Sequence, residues 1–331
     1  EPDGSPLAGF PATYAGGGQR AAEFGGQHML VYPALAGSAL MRLAEAVGED
    51  KYLAAAKRIG ERYLALQGTD GSWYLKMDGK SGRPISSNRL VPTSVIAFLE
   101  ELFAASGDGR YRRAADRAFA SIDQGPLVTW NWEGQFEDVA PVSERYRNLT
   151  KHNACDTAIY LLQRFPGDAH RLAQAREILR YAEDQFVAWK APCRRDYEGA
   201  WKPEYQFFAW HTPVALEQYC CYCPIDASSS KLIRTYLALY EAEGSPLDLA
   251  KARALGDRMV NEQDDSGRIR TYFIPEPQDA DDPEAGTTFL PYGGDWYNCM
   301  AADVAALGQL ADNGRSLSSA TDVRDGPCRR R

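Results

Sequence analysis

Apolar residues recur at helical spacing in paired segments along this chain. The first pair is 32–47 and 51–66, with Leu35, Leu40, Leu43 and Val47 on one face. The second is 93–105 and 111–123, where Val95, Phe98, Leu99 and Leu102 repeat at i, i+3, i+4 and i+7. The third is 155–165 and 171–187, and the fourth is 228–242 and 247–263. A fifth segment, 297–311, has no second member, and after Ala311 the periodicity is lost, which predicts a structureless tail over 312–331. Residues 1–27 are glycine-rich and predict no helix of any length.

Within each pair the turn is short: AVGEDKY, ASGDGRY, FPGDAHRL and AEGSPLDL. Each puts Gly, then Asp, Glu or Ser, after one apolar helix, which is helix-stop followed by helix-start chemistry. Between pairs the connections are long, roughly 68–92, 125–152, 189–226 and 264–295. They hold six of the seven tryptophans and eight of the eighteen tyrosines, so they are the aromatic-rich part of the chain. Tyr52, Tyr111 and Leu172 are corresponding landmarks at intervals of roughly sixty residues, longer than common helical-repeat periods. Hairpins of that length can close into a ring with inner and outer helices. The expected fold is therefore all-α: an (α/α) toroid of helical hairpins over 28–311, incomplete or six-hairpin, with long loops on one face. Short stretches such as 72–77 and 268–274 predict small hairpins on that face.

At 331 residues, 44% hydrophobic and 25% charged, the chain describes a globular protein with a large core. The formal charge of −8, with no basic stripe outside Arg329 to Arg331, argues against nucleic-acid and anionic-membrane partners. No apolar run approaches the ~18 residues of a membrane span. The chain starts at Glu1 without Met or a signal-like stretch, so a processed protein, a trimmed one and a fragment all stay open. Localisation is open too, with periplasm or secretion favoured, and so is oligomeric state. Seven cysteines suggest mostly free, buried thiols, and Asn148-Leu149-Thr150 is a glycosylation sequon.

Four stretches carry candidate chemistry. WNWEGQFEDV packs Trp130 and Trp132 around Glu133, Glu137 and Asp138. Sugars lay C–H faces on indole planes while carboxylates take their hydroxyls, and an acid beside tryptophan is where desolvation raises a pKa. YRNLTKHNACD carries Arg147, Lys151, His152 and Asp156 into a helix start, which favours an anionic group. FFAWHTPVALEQYCCYCPID brings Trp210, His211, Glu217, Tyr219 and Tyr222 together; histidine is suited to proton transfer near neutral pH. PYGGDWYNCMAAD places Asp295 and Trp296 before the fifth helix, as Asp226 stands before the fourth. Each of these side chains also has a plain structural role available, as helix cap, loop anchor or core filler.

The turns of form G-[DE]-x-x-Y followed by an alanine-rich helix, and the loop DGSWYLKMDGKSGRP, resemble those of the six-hairpin glycosidase superfamily. The resemblance spans about 28–311. It implies an α/α toroid acting on carbohydrate as a glycoside hydrolase, an epimerase or a polysaccharide lyase. The succession QHMLVYP, NWEGQFEDV, NLTKHNACD and HTPVALEQY is also similar to bacterial pectate-lyase-like proteins. The tryptophan motif of unsaturated glucuronyl hydrolases and the Arg-Glu-x-x-His of sugar epimerases have no counterpart. Cys220, Cys221 and Cys223 resemble the zinc-binding cysteines of β-L-arabinofuranosidases, but C-C-x-C lacks paired C-x-x-C spacing, so no cofactor is expected.

The expected function is β-elimination on a uronate-containing glycan. His152, His211 or Tyr219 would take the proton, and Arg145, Arg147 or Lys151 would neutralise the carboxylate. The alternative is a glycoside hydrolase with paired carboxylates from Glu133, Glu137, Asp138, Asp156 and Asp226. A second alternative is a non-catalytic helical scaffold binding glycan or protein.

Overall fold

The computed structural model describes residues 4–13, 24–133, 145–190, 212–219, 221–273 and 299–322, with side chains given up to Asn313 and that of Cys221 left out. The chain divides into two compact units, 1–148 and 149–331.

In the first unit, helix α1 (Tyr32–Val47) pairs with α2 (Asp50–Leu66), and α3 (Thr93–Ser106) pairs with α4 (Gly109–Gln124). Gly48 and Gly107 close α1 and α3 at φ 70° and 69°, each N–H returning to a carbonyl four residues back. Asp108 then caps α4 by accepting from the Arg110 N–H. α1 also packs against α3. That contact is close because Gly37 has no side chain: a Cβ there would lie 2.4 Å from the Phe98 ring.

Tyr63, Trp73 and Phe98 form the aromatic centre of this unit, all fully buried. The Tyr63 hydroxyl donates to the Leu30 carbonyl at 2.5 Å, and Trp73 Nε1 donates to the Tyr63 carbonyl at 2.9 Å. Leu7 and Phe10, from the glycine-rich start, are buried in the same core, with the Phe10 ring 4.8 Å from that of Tyr63. Strand β1 (Gln27–Met29) pairs antiparallel with β2 (Lys76–Asp78), so the strand expected near 72–77 finds a distant partner as well as local bridges to Pro84 and Arg89.

In the second unit, α6 (His152–Arg164) pairs with α7 (Ala169–Phe186), and α8 (Asp226–Glu243) with α9 (Pro246–Asn261). (A single turn, α5, Pro126–Thr129, precedes them in the first unit.) α8 is the central helix, packing on α6, α9 and α10 (Met300–Asp322) through Leu232, Ile233, Tyr236 and Leu237. Strands β3 (Val187–Ala188), β4 (Val214–Gln218) and β5 (Cys221–Pro224) form an antiparallel sheet in that order.

Two sequence expectations change here. α10 runs to Asp322, so part of the segment assigned to a structureless tail is helical. It was illegible because Ser- and Asp-rich turns can extend a helix without presenting an apolar face. The β4–β5 hairpin falls in a stretch read as an aromatic loop. Every residue of β4 is buried, so the strand shows no polar–apolar alternation. Among the described residues no helix is long and apolar enough to cross a membrane.

Candidate active site

The first unit contains a cavity of about 710 Å³, walled by 87–92 and 121–133 together with Asp70, Ser72 and Arg145. Its floor is shaped by α5. Trp130 ends that turn in the left-handed region at φ 58°, returning its N–H to the Pro126 carbonyl. The Tyr146 hydroxyl donates to the Thr129 carbonyl at 2.8 Å, and the Tyr146 N–H donates to Asn131 Oδ1 at 3.0 Å. These bonds fix the segment that carries Glu133.

Glu133 is 8% exposed and lines the cavity. The backbone N–H groups of Tyr146, Arg147 and Asn148 face its carboxyl and favour the ionised form. Burial outweighs them and raises its pKa above the usual glutamate value. In the same wall Asp70 accepts an ion-paired hydrogen bond from Arg89. The Arg89 guanidinium also donates to the Ser72 carbonyl at 2.9 Å and lies 4.3 Å from the Tyr74 ring centroid. One cavity thus joins a desolvated acid, a second carboxylate with its cation, and the amide of Asn131.

The second unit holds a buried polar interior. Lys151 is 0% exposed. Its Nζ donates to the Leu216 and Glu217 carbonyls and to Ser228 Oγ, with Phe186 5.6 Å below. Burial pushes its pKa down to about 7 against the pull of Glu217. His152, half-buried at the start of α6, is held well below the usual imidazole range by burial and by the charges of Lys151 and Lys231. Glu217 is buried on β4, with Cys223 Sγ 3.9 Å from its Oε2. The Tyr219 and Tyr222 hydroxyls donate to the side chain and carbonyl of Gln185, both at 2.6 Å, and both rings pack on Phe186. Asp156 is ion-paired with Lys231.

Several sequence expectations are corrected by these placements. Trp132 is fully buried and offers no plane to a sugar, leaving Trp130, 36% exposed, as the indole at the surface. Lys151 is turned to carbonyls inside the unit rather than toward a substrate carboxylate, because desolvation and three oxygen acceptors hold it there. Asp226 does not cap its helix: it is the first residue of α8, 1% exposed, beside Asp303. The Arg147 backbone N–H faces Glu133. Glu137, Asp138, Trp210, His211, Cys220, Asp295 and Trp296 lie outside the described residues. Cys155, Cys223 and Cys299 are free and buried, and among the described residues no group of three or more His, Cys, Asp or Glu is arranged to hold a metal ion.

Asp70, Arg89 and Asn131 in the cavity, and Asp303 and Cys299 beside Asp226, were not singled out from sequence. Asp303 follows Cys299 by four residues in an apolar helix start, which is a legible signal for a buried acid. Arg89 carries no local signal at all.

No model of a known protein family matches the chain, and no curated protein sequence matches it. Solved structures do. Cellobiose 2-epimerase from Spirochaeta thermophila DSM 6192 is similar with a TM-score of 0.58 at 15% identity, over 92% of this chain and 77% of that one. A family 76 α-mannanase from Bacteroides thetaiotaomicron gives 0.54 at 14% identity, over 88% and 71%. A family 105 glycoside hydrolase from C. acetobutylicum ATCC 824 gives 0.54 at 12%, over 88% and 74%. An inactive variant of an α-1,6-mannanase from Salegentibacter sp. HEL1_6, in complex with an α-1,6-mannotetraose, has a TM-score of 0.47, and the chain spans 64% of its length. The three likenesses with TM-scores above 0.5 define a class by fold: the helical hairpins are those of the α/α toroids.

Proposed function

We propose that the chain is a carbohydrate-active enzyme that cleaves a glycosidic bond by hydrolysis in the cavity of its first unit, with Glu133 as general acid. The observation that carries this is a buried glutamic acid whose pKa is raised by desolvation in the wall of a cavity large enough for a sugar ring. A carboxyl that holds its proton to higher pH than an ordinary glutamate is suited to deliver it to the glycosidic oxygen as the bond breaks. The partner carboxylate is drawn from Asp70 in the same wall, or from Glu137 and Asp138 in the segment that follows Glu133. A separation of about 5–5.5 Å predicts retention, and one of about 6.5–9.5 Å predicts inversion.

The hydrolase reading also agrees with the solved neighbours, which include glycoside hydrolases of families 76 and 105. It displaces β-elimination as the main reading, since Lys151, one of the cations meant to neutralise a uronate, is occupied by carbonyl oxygens. Elimination stays as a second reading: His152 is held in the unprotonated form from which a base acts, although burial and the charges of Lys151 and Lys231 weaken it as a base.

Incubation with a panel of neutral and uronate-containing glycans separates the two. New reducing ends without ultraviolet absorbance, lost in Glu133→Gln, support hydrolysis. Absorbance from an unsaturated uronate supports elimination. Reducing ends undiminished in Glu133→Gln would remove Glu133 from its role.

A further inference from the structure

Asp226 and Asp303 are each 1% exposed, one at the start of α8 and the other in the first turn of α10. Asp226 Oδ1 accepts the Ala227 N–H at 2.5 Å, and Asp303 Oδ1 accepts the Ser230 hydroxyl at 2.5 Å. Asp303 Oδ2 is buried with no partner among N–H and O–H groups of the described residues. The groups facing the pair are Ser230 on α8, Met259 on α9, Cys299 at the start of α10 and, beyond Cys299, Glu217 on β4. None of these is cationic.

Lys151, whose Nζ meets Ser228 Oγ on the same helix, is taken up by the Leu216 and Glu217 carbonyls, and two adjacent buried carboxylates with no ion-paired cation among the described residues cannot both be ionised. A proton between them resolves the geometry: the neutral acid of Asp226 donates to the orphaned oxygen of Asp303. Asp303 meets Ser230 about one turn along α8 from Asp226, so the two carboxyls sit side by side in the interior and make a poor acid–base couple for hydrolysis. Its position is informative in another way. α10 otherwise sits on its neighbours through Ala306, Leu307 and Leu310 and through surface bonds from Gln309 and Asn313 to Glu241. Its other face, including Val304, is exposed.

We propose that the α8–α10 junction is a proton-held latch, in which one proton shared by Asp226 and Asp303 keeps α10 seated and its loss releases the helix. The step is an acid dissociation: the proton leaves to water and two adjacent anions remain. Their repulsion acts along the contact that holds α10. Burial and the Asp303 charge push the Asp226 pKa up to about 8, so the seated state keeps its proton up to that pH while the released one has already given it up.

Hydrogen–deuterium exchange of residues 300–313, corrected for the intrinsic pH dependence, tests the latch in the full chain. Protection of α10 is expected to fall by up to tenfold per pH unit from the ordinary aspartate range up to about pH 8 and to level off above it. Asp226→Asn, whose amide donates at every pH, should keep protection flat to pH ~9.5. The Asp303→Asn variant gives the same comparison if the first fails to fold. In wild-type protein carrying 13C-carboxyl aspartate, one neutral aspartate carboxyl should persist at pH ~7, far above the ordinary value. Constant protection of α10 up to pH ~9.5, a variant that tracks the wild type, or no neutral aspartate at pH ~7 would each overturn the latch.

Discussion

Gly37 offers the sharpest physical test of how one hairpin meets the next. The Gly37→Ala change adds a single methyl group on α1. Built on the backbone, it would lie 2.4 Å from Phe98 Cε2 and Cζ and 3.0 Å from Cδ2. The Phe98 ring cannot swing aside freely: it is fully buried and stands edge-on to Tyr63 at 6.3 Å. Alanine gains about 1 kcal/mol over glycine in a helix interior. Overpacking a rigid core costs about 1–3 kcal/mol. A neighbour forced to move by more than an ångström belongs at the upper end, so the net loss is about 1–2 kcal/mol. Urea unfolding followed by tryptophan fluorescence should show a lower midpoint with an unchanged slope. In a Phe98→Leu background the clash has less to strike, and the penalty should shrink or reverse, giving a favourable coupling in the double-mutant cycle. A Gly37→Ala protein as stable as wild type, or equal penalties in both backgrounds, would refute close approach of α1 and α3.

Tyr63→Phe leaves the buried Leu30 carbonyl without its donor and should cost about 1–3 kcal/mol of unfolding free energy by the same assay. Glu133→Gln should lower kcat by about a hundredfold or more with the thermal midpoint preserved. Because the Glu133 pKa is raised, its proton is held to higher pH than that of an ordinary glutamate, and wild-type activity should fall on the alkaline side as that proton is lost. Lys151 binds fewer protons folded than unfolded between its depressed value of about 7 and its ordinary one. Its contribution to stability therefore rises with pH across that window, and Lys151→Met should flatten the rise in urea midpoints between pH ~7 and ~10.

Much of the fold was legible because its determinants are local. Gly48 and Gly107, with Asp108 after the second, announce turns through backbone conformation and capping alone, and Leu99 and Leu102 announce a buried helix face by spacing. β1–β2 and β4–β5 were not legible, since their pairing is non-local or both of their faces are buried. The site divides along the same line. Glu133 stood out because tryptophans flank it, although Trp132 goes into the core rather than forming a sugar platform. Asp70 and Arg89 were missed, because their pairing across a loop is a tertiary fact that no spacing records. Lys151 was misread: a lysine beside a helix start reads as an anion clamp until carbonyls from β4 are found around its amine.

Diffraction from crystals of Glu133→Gln soaked with an oligosaccharide cleaved by the wild type would bear most directly on the proposed chemistry. Sugar density should fill the space between Arg89, Asn131 and residue 133, with a bridging oxygen within hydrogen-bonding reach of the new amide. Sugar bound in another place, with that space holding only water at saturating ligand, would contradict the assignment.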